Sequence, residues 1–219
     1  VAQRLIGYTH IGAKPDAVAF LALVAADAGA LANPGHPYPF FLAQQLNAPV
    51  ETLGDPRDWI VEWKWDGIRA QLVARGGECW LWSRGEELIT ERFPEIEALG
   101  RGLPEGTVID GEVVVWRDDQ VRPFADLQTR IGRKKLTPKI LADMPAALVA
   151  YDLLEAQGED LRGVAQHERR DRLQQVVAAF DDPRLKLSPV IELEDWQAYA
   201  QLREQSRARG VEGFMLKRR

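Results

Sequence analysis

Residues 59–74 of this 219-residue chain read WIVEWKWDGIRAQLVA. The apolar runs at 59–65 and 68–74 favour two strands, and the dipeptide Asp66-Gly67 lies between them. Glycine tolerates a positive φ, which the tight turns of hairpins require. The stretch therefore predicts a β-hairpin with its turn at Asp66-Gly67.

A lysine lies near the end of the first of these strands. Strand alternation places Glu62, Lys64 and Asp66 on one face and Trp63 and Trp65 on the other. Lysine attacks an electrophile only as the free amine, so burial or a nearby cation such as a metal ion must lower its pKa. The segment alone fits either a positioned nucleophile or an ordinary hairpin with exposed charges.

The rest of the chain combines short strand-like runs with several helical stretches. Further strands are expected at 79–83, 107–116, 147–154, 186–193 and 211–217, and helices at 90–99, 124–132, 167–180 and 194–209. Because strands and helices do not alternate strictly, the pattern predicts an α+β fold. A separate helix is expected at 15–26, and three prolines and a glycine within 33–39 predict a domain junction near residue 36.

The charge balance limits how much of the protein surface can bind nucleic acid. The chain has 28 Lys and Arg against 33 Asp and Glu, a formal net charge of -5. This balance argues against a protein whose whole surface binds nucleic acid by counterion release. Basic residues do cluster at 130–139 and 217–219, where they form either a local contact with DNA or a solvated face.

Several classes of protein are excluded by what the sequence lacks. No apolar run approaches the roughly 20 residues that cross a bilayer. A single cysteine, Cys79, excludes a disulfide framework and a cysteine-rich zinc site, which fits a cytoplasmic protein. The scattered histidines have no plausible Ser or Cys partner for a hydrolase triad, and no Gly-x4-Gly-Lys loop is present.

Polar groups recur at the ends of otherwise apolar strands, where a solvent-facing sheet would not need them. These segments are Ser83-Arg84-Gly85-Glu86-Glu87, Asp110-Gly111-Glu112, Tyr151-Asp152, and the run from Glu212 to Lys217. Together with Lys64, these segments give a set of acidic and basic residues in a defined order along the chain.

This order resembles the covalent nucleotidyltransferase superfamily, and specifically the ATP-dependent DNA ligases. The nucleophile motif Lys-x-Asp-Gly-x-Arg matches residues 64–69, and the later motifs match 83–85, 110–112, 151–153 and 212–217. The resemblance covers residues 37–219 and implies a nucleotidyltransferase (ATP-grasp-like) adenylation domain of antiparallel sheets flanked by helices. The segments 82–88 and 131–135 look most like the bacterial type, so residues 1–36 would be the tail of a helical DNA-binding domain.

The resemblance also implies a reaction. In that family the lysine, here Lys64, attacks the α-phosphate of ATP, AMP passes to the 5′-phosphate of a nick in double-stranded DNA, and the 3′-hydroxyl displaces AMP. The resemblance implies that Glu62 contacts the adenine edge and that Tyr151 stacks on adenine. Arg69 and Arg84 would contact sugar and phosphate groups, and Lys217 would contact phosphate. Glu112 would contact ribose or a metal ion, Glu212 would bind Mg²⁺, and Arg133, Lys134 and Lys135 would contact DNA. Arg84 as a surface cation, Tyr151 as a core aromatic residue and Asp66 as a turn residue remain the structural alternatives.

Other interpretations stay open on the sequence. An RNA ligase or a guanylyltransferase shares the lysyl-nucleotide chemistry, and a non-catalytic DNA-binding fragment would retain only the basic segments. The chain ends at Arg219, directly after the fourth motif, so we expect a fragment without the later Lys-x-Lys motif and OB domain of the family. The expected enzyme is a monomer in the cytoplasm, associated with the nucleoid.

Overall fold

The computed structural model describes residues 34–219. The helix predicted at 15–26 lies outside these residues, as does nearly all of the segment 1–36 that was assigned to a separate helical domain. The domain junction predicted near residue 36 therefore stays a prediction.

Two antiparallel sheets organise the described chain. The strands are β1 (Trp59–Trp65), β2 (Ile68–Arg75), β3 (Glu78–Ser83), β4 (Thr107–Arg117), β5 (Gln120–Val121), β6 (Ala146–Ala156), β7 (Glu159–Asp160), β8 (Leu185–Leu187) and β9 (Val211–Arg218). The small sheet is the pair β1-β9, and the large sheet has the order β3-β2-β4-β6-β7, with β5 beside β4 and β8 parallel to β6. The predicted α+β fold of antiparallel sheets is confirmed.

Five α-helices accompany the sheets in residues 34–219. They are α1 (Pro94–Gly100), α2 (Phe124–Ile131), α3 (Pro138–Asp143), α4 (Gln166–Phe180) and α5 (Trp196–Arg203). Short 3-10 helices lie at Val50–Leu53, Pro56–Asp58, Thr90–Arg92 and Arg207–Arg209. α3 was not predicted, although Thr137 caps its N-terminus and Pro138 occupies its first turn, both ordinary start signals.

Three predicted elements are shorter than expected. The helix expected at 90–99 begins at Pro94, after a separate 3-10 turn at Thr90–Arg92. The helix expected at 194–209 ends at Arg203, because the Ser206 hydroxyl donates to the Arg203 carbonyl at 2.6 Å and replaces a helical bond there. The strand expected at 186–193 is only β8, since Pro189 has no N–H to continue the ladder.

The predicted hairpin between β1 and β2 is wrong. β1 pairs with β9, and β2 pairs with β3 and β4, so the chain changes sheets at Asp66-Gly67. A Cβ on Gly67 would lie 2.4 Å from the Val113 carbonyl oxygen and 2.9 Å from Cγ of Glu112. The glycine therefore permits the chain to pass close over β4, and it does not have a positive φ.

The small sheet has one polar face, whereas the large sheet packs its main apolar face on helices and carries a smaller apolar cluster, including Val73 and Val108, on the other face. The large sheet buries its apolar face against α1, α2 and α4 through residues such as Leu72, Ile96 and Leu173. The small sheet packs Val61 against Trp196 on α5. Its other face carries Glu62 and Lys64, as the alternation predicted, and this polar face contacts the large sheet.

Candidate active site

Lys64 and Glu212 lie side by side at the end of the small sheet. Lys64 is opposite Gly213 and Trp65 is opposite Val211, so Glu212 is an extra, bulged residue in β9. Gly213 has φ 148°, a value that L side chains rarely adopt. The bulge brings the Glu212 carboxylate into an ion pair with the Lys64 ammonium, and the two side chains are 46% and 45% exposed. Because the lysine is half-exposed, a nearby cation remains the better of the two predicted ways to activate its amine.

The large sheet contributes two acids and an arginine. Arg69 on β2 is opposite Glu112 on β4, and Asp110 lies two residues before Glu112. The Arg69 guanidinium donates to both Asp110 carboxylate oxygens, at 2.7 and 3.3 Å, and to the Phe41 carbonyl at 2.5 Å. A Cβ on Gly111 would lie 2.8 Å from the Val149 carbonyl oxygen, so only glycine fits between the two acids.

Glu112 on the large sheet interacts electrostatically with charged residues of both sheets. Desolvation, and then the charge of Asp110, raises the pKa of Glu112 from 4.5 to about 8, while Arg69, Lys64 and Arg84 act in the opposite direction. The same carboxyl group therefore lies within electrostatic reach of the lysine on β1, the arginine on β2 and the arginine after β3.

This shift predicts a pH-dependent stability. The folded protein holds the Glu112 proton up to about pH 8, whereas the unfolded chain releases it near pH 4.5. The contribution of the protonated group is full below the lower value and is lost as the pH rises through the upper one. We expect Glu112→Gln to remove this loss and to gain at least about 1.4 kcal/mol relative to wild type between about pH 5 and pH 9, the value of one pKa unit.

Urea unfolding in the presence of a chelator measures the difference. If the free energy of unfolding changes with pH in the same way in the variant and the wild type, the folded environment of Glu112 does not shift its pKa.

A buried network lies behind Lys64. Glu62 is 1% exposed, and its two oxygens accept from Arg170 and Lys217, each at 2.5 Å. Lys217 also donates to the Tyr151 carbonyl at 2.9 Å, and its ammonium lies 4.6 Å from the centre of the Tyr151 ring. Burial raises the pKa of Tyr151 well above its ordinary value, and its hydroxyl lies 3.5 Å from Asp110. The structure thus brings these predicted residues together with one that was not predicted, Arg170.

The position of Arg170 in the sequence indicates that its side chain is buried. Arg170 lies three and seven residues before Leu173 and Val177, which puts all three on one face of α4. Leu173 is in the buried core and Val177 packs against it. An arginine on an apolar helical stripe indicates a buried partner, because an unpaired buried charge is strongly unfavourable.

The remaining predicted residues are more exposed. Arg84 is exposed, and its backbone N–H donates to the Arg69 carbonyl at 3.0 Å. Arg133, Lys134 and Lys135 are exposed in the loop between α2 and α3, away from the strands that carry the cluster. Their exposure fits both a DNA contact and a solvated face.

The acids of the site suit one kind of cation. In residues 34–219, no group of three or more His, Cys, Asp and Glu side chains has the arrangement to hold a metal ion by itself. Mg²⁺ is usually held by one or two carboxylates together with substrate phosphates. Glu212 and Glu112, which lie around Lys64, fit that donor set. Within the same residues, no helix is both long and apolar enough to span a membrane.

Comparisons with known proteins agree on one family. The family model for the ATP dependent DNA ligase domain matches residues 40–219. A DNA ligase of Natronomonas pharaonis is 35% identical over 185 residues, covering 84% of this chain and 32% of the relative. The ligase domain of M. tuberculosis LigD is 30% identical with a TM-score of 0.59, covering 75% of this chain and 50% of that chain.

A second solved structure, mycobacterial DNA ligase D complexed with ATP and MES, is similar to the same extent. It is 31% identical with a TM-score of 0.59, and the match covers 75% of this chain and 50% of that one. The chain spans about a third or less of the curated relatives it matches most strongly, for example 32% of the Natronomonas pharaonis ligase.

Proposed function

The chain belongs to the ATP-dependent DNA ligase family, and from this premise we propose that it is the catalytic core of an enzyme that seals nicks in double-stranded DNA. The observation that carries the proposal is the half-exposed Lys64 with Glu212 beside it and Glu112, Arg69 and Arg84 in electrostatic reach. The named relatives are DNA ligases, which favours this function over an RNA ligase, a guanylyltransferase or a silent DNA-binding module.

In the first step, the Lys64 amine attacks the α-phosphorus of ATP. The new N–P bond forms as the P–O bond to pyrophosphate breaks, and the nitrogen loses one of its two amine protons to give a lysyl-AMP. Arg69, Arg84 and Lys217 supply cations for the sugar and phosphate oxygens, which gather negative charge in the transition state. Mg²⁺ held by Glu212 and Glu112 supplies further charge stabilisation when it is bound.

Adenine would bind at the buried side of the site, next to Glu62 and Tyr151. Glu62 offers a carboxylate to the exocyclic amino group, and Tyr151 offers the ring face that Lys217 does not cover. The complex of mycobacterial DNA ligase D with ATP supports the choice of this nucleotide.

The test is nucleotide transfer to the full-length protein. We expect radiolabel from ATP, with Mg²⁺, to become attached to Lys64 and to pass to the 5′-phosphate of a nick, which is then sealed. Attachment of label from GTP alone would contradict the proposal, and so would an absence of label from either nucleotide.

The loop 133–135 provides a DNA contact in this proposal. Replacing Arg133, Lys134 and Lys135 by Ala should weaken binding to a nicked duplex and reduce the slope of log affinity against log salt by up to about 2.7, at roughly 0.9 per phosphate contact. Fluorescence titration at several salt concentrations measures both quantities.

A matched variant removes the same charge elsewhere. Arg57, Arg101 and Arg172 are exposed or half-exposed arginines on separate elements, each paired with an acid. Replacing these three by Ala should leave the salt slope closer to wild type. Equal slopes for the two triple variants would assign loop 133–135 to a solvated face.

The wider setting follows from the same proposal. From the family resemblance, we also propose that residues 1–36 belong to a helical DNA-binding domain and that the enzyme acts as a monomer in the cytoplasm, at the nucleoid. Its sealing of nicks serves DNA replication, repair and recombination.

A further inference from the structure

Arg170 on α4 lies outside the predicted motifs and makes a buried contact with the proposed nucleotide site. Its side chain is 8% exposed, and its guanidinium donates to Glu62 at 2.5 Å and to the Ser188 carbonyl oxygen. A guanidinium in this position satisfies two buried acceptors on different elements at once.

The contacts of Ser188 extend this network to the nucleophile strand. The Ser188 backbone N–H donates to the Ala150 carbonyl on β6 at 2.8 Å. Its hydroxyl accepts from the indole N–H of Trp65, the residue after Lys64, at 3.1 Å. Arg170 therefore contacts β1 directly through Glu62 and indirectly through Ser188 and Trp65.

The same carboxylate joins the two sheets. The second oxygen of Glu62 accepts from Lys217 on β9, and Lys217 also donates to the Tyr151 carbonyl on β6. The small sheet, which carries Lys64, is thus fixed against the large sheet, which carries Glu112, by a network whose buried cation is Arg170.

We propose that Arg170 is a positioning residue for adenylylation, which holds the Glu62 carboxylate in place and sets the position of the Lys64 strand relative to the large sheet. The proposal rests on the proposed ligase function and on the contact of Glu62 with adenine. Without the guanidinium, Lys217 is the one side-chain donor that the buried carboxylate keeps within residues 34–219, and the Ser188 carbonyl loses the Arg170 donor.

This role has a consequence for nucleotide choice. A fixed carboxylate oxygen accepts a hydrogen bond from the amino group of adenine, whereas guanine presents a carbonyl oxygen at the same edge and is repelled. If Glu62 is held less firmly, the rate of labelling from ATP should therefore fall by a larger factor than the rate of labelling from GTP.

The experiment compares Arg170→Gln and Arg170→Lys in the full-length protein. For Arg170→Gln we expect kcat/KM for lysyl-AMP formation from ATP to fall about 100-fold, the scale of a small misplacement of reacting groups, with a raised KM. The ratio of ATP to GTP labelling should fall at least about tenfold, and Arg170→Lys should restore part of both.

Arg130 offers a matched control for the loss of a buried arginine. It is 0% exposed, donates to Glu95 at 2.5 Å and to the Met144 carbonyl at 2.7 Å, and lies on α2. Arg130→Gln and Arg130→Lys should lower the urea midpoint of unfolding without changing KM for ATP or the ATP to GTP ratio.

The outcomes separate the two proposals. If folded Arg170→Gln keeps the wild-type KM and nucleotide ratio, or if the Arg130 variants change both equally, Arg170 has only a structural role and the inference is wrong while the ligase function stands. If the wild-type protein takes no label from ATP, the proposed function itself fails, and the inference fails with it.

Discussion

Lys64→Arg is expected to reduce lysyl-AMP formation by at least about 10³-fold, because a nucleophile is lost outright. Arginine keeps the positive charge that pairs with Glu212, but its guanidinium is not deprotonated in proteins and cannot attack the α-phosphate. The substitution therefore removes the nucleophile and preserves the ion pair. Transfer of label from ATP to the full-length protein measures the effect.

A second substrate separates chemistry from binding. Sealing of a nick whose 5′-phosphate already carries AMP does not need the lysine as nucleophile, so Lys64→Arg should retain this reaction far better than it retains labelling. Lys186→Arg, a lysine whose ammonium lies 4.6 Å from the centre of the Trp116 ring, is the control and should behave as wild type in both assays. Normal labelling of Lys64→Arg would exclude Lys64 as the attachment point.

Most strands near the nucleophile could be predicted from the sequence, but their partners could not. The run 59–65 was predicted at its observed bounds, since aromatic and β-branched residues favour extended backbone locally. The partner of a strand depends on contacts distant in sequence, and β9 lies about 150 residues beyond β1. Asp66-Gly67 carried a hairpin signal, yet Gly67 is required by the close approach to Val113. A dipeptide does not distinguish a turn from a close passage between sheets.

The site residues, like the strands, could be predicted from the sequence only in part. The motifs predicted that Lys64, Glu112 and Glu212 belong to one site, and the structure brings them together. The bulge at Glu212 could not be predicted, because it depends on the register between β1 and β9. Arg170 was missed because it belongs to no motif, although its place on the apolar face of α4 marked it as buried.

Glu212→Gln tests what the carboxylate next to the nucleophile does. The ion pair alone stabilises the protonated amine, so if pairing were its only role, removing the charge would favour the free amine and labelling would be faster. As a ligand of Mg²⁺, by contrast, Glu212 would contribute to charge stabilisation worth several kcal/mol. We expect the second effect to prevail and labelling from ATP to slow by about 10²–10³-fold.

The Mg²⁺ dependence of that labelling provides the decisive comparison. If Glu212 helps to hold the cation, Glu212→Gln should require a higher Mg²⁺ concentration for its half-maximal rate, whereas a change in amine protonation alone would shift the pH profile. Glu159→Gln also removes an exposed carboxylate from an ion pair, that with Arg172 at 3.0 Å, and should change neither measurement. Faster labelling by Glu212→Gln at an unchanged Mg²⁺ requirement would show that the carboxylate restrains Lys64 and does not bind the metal.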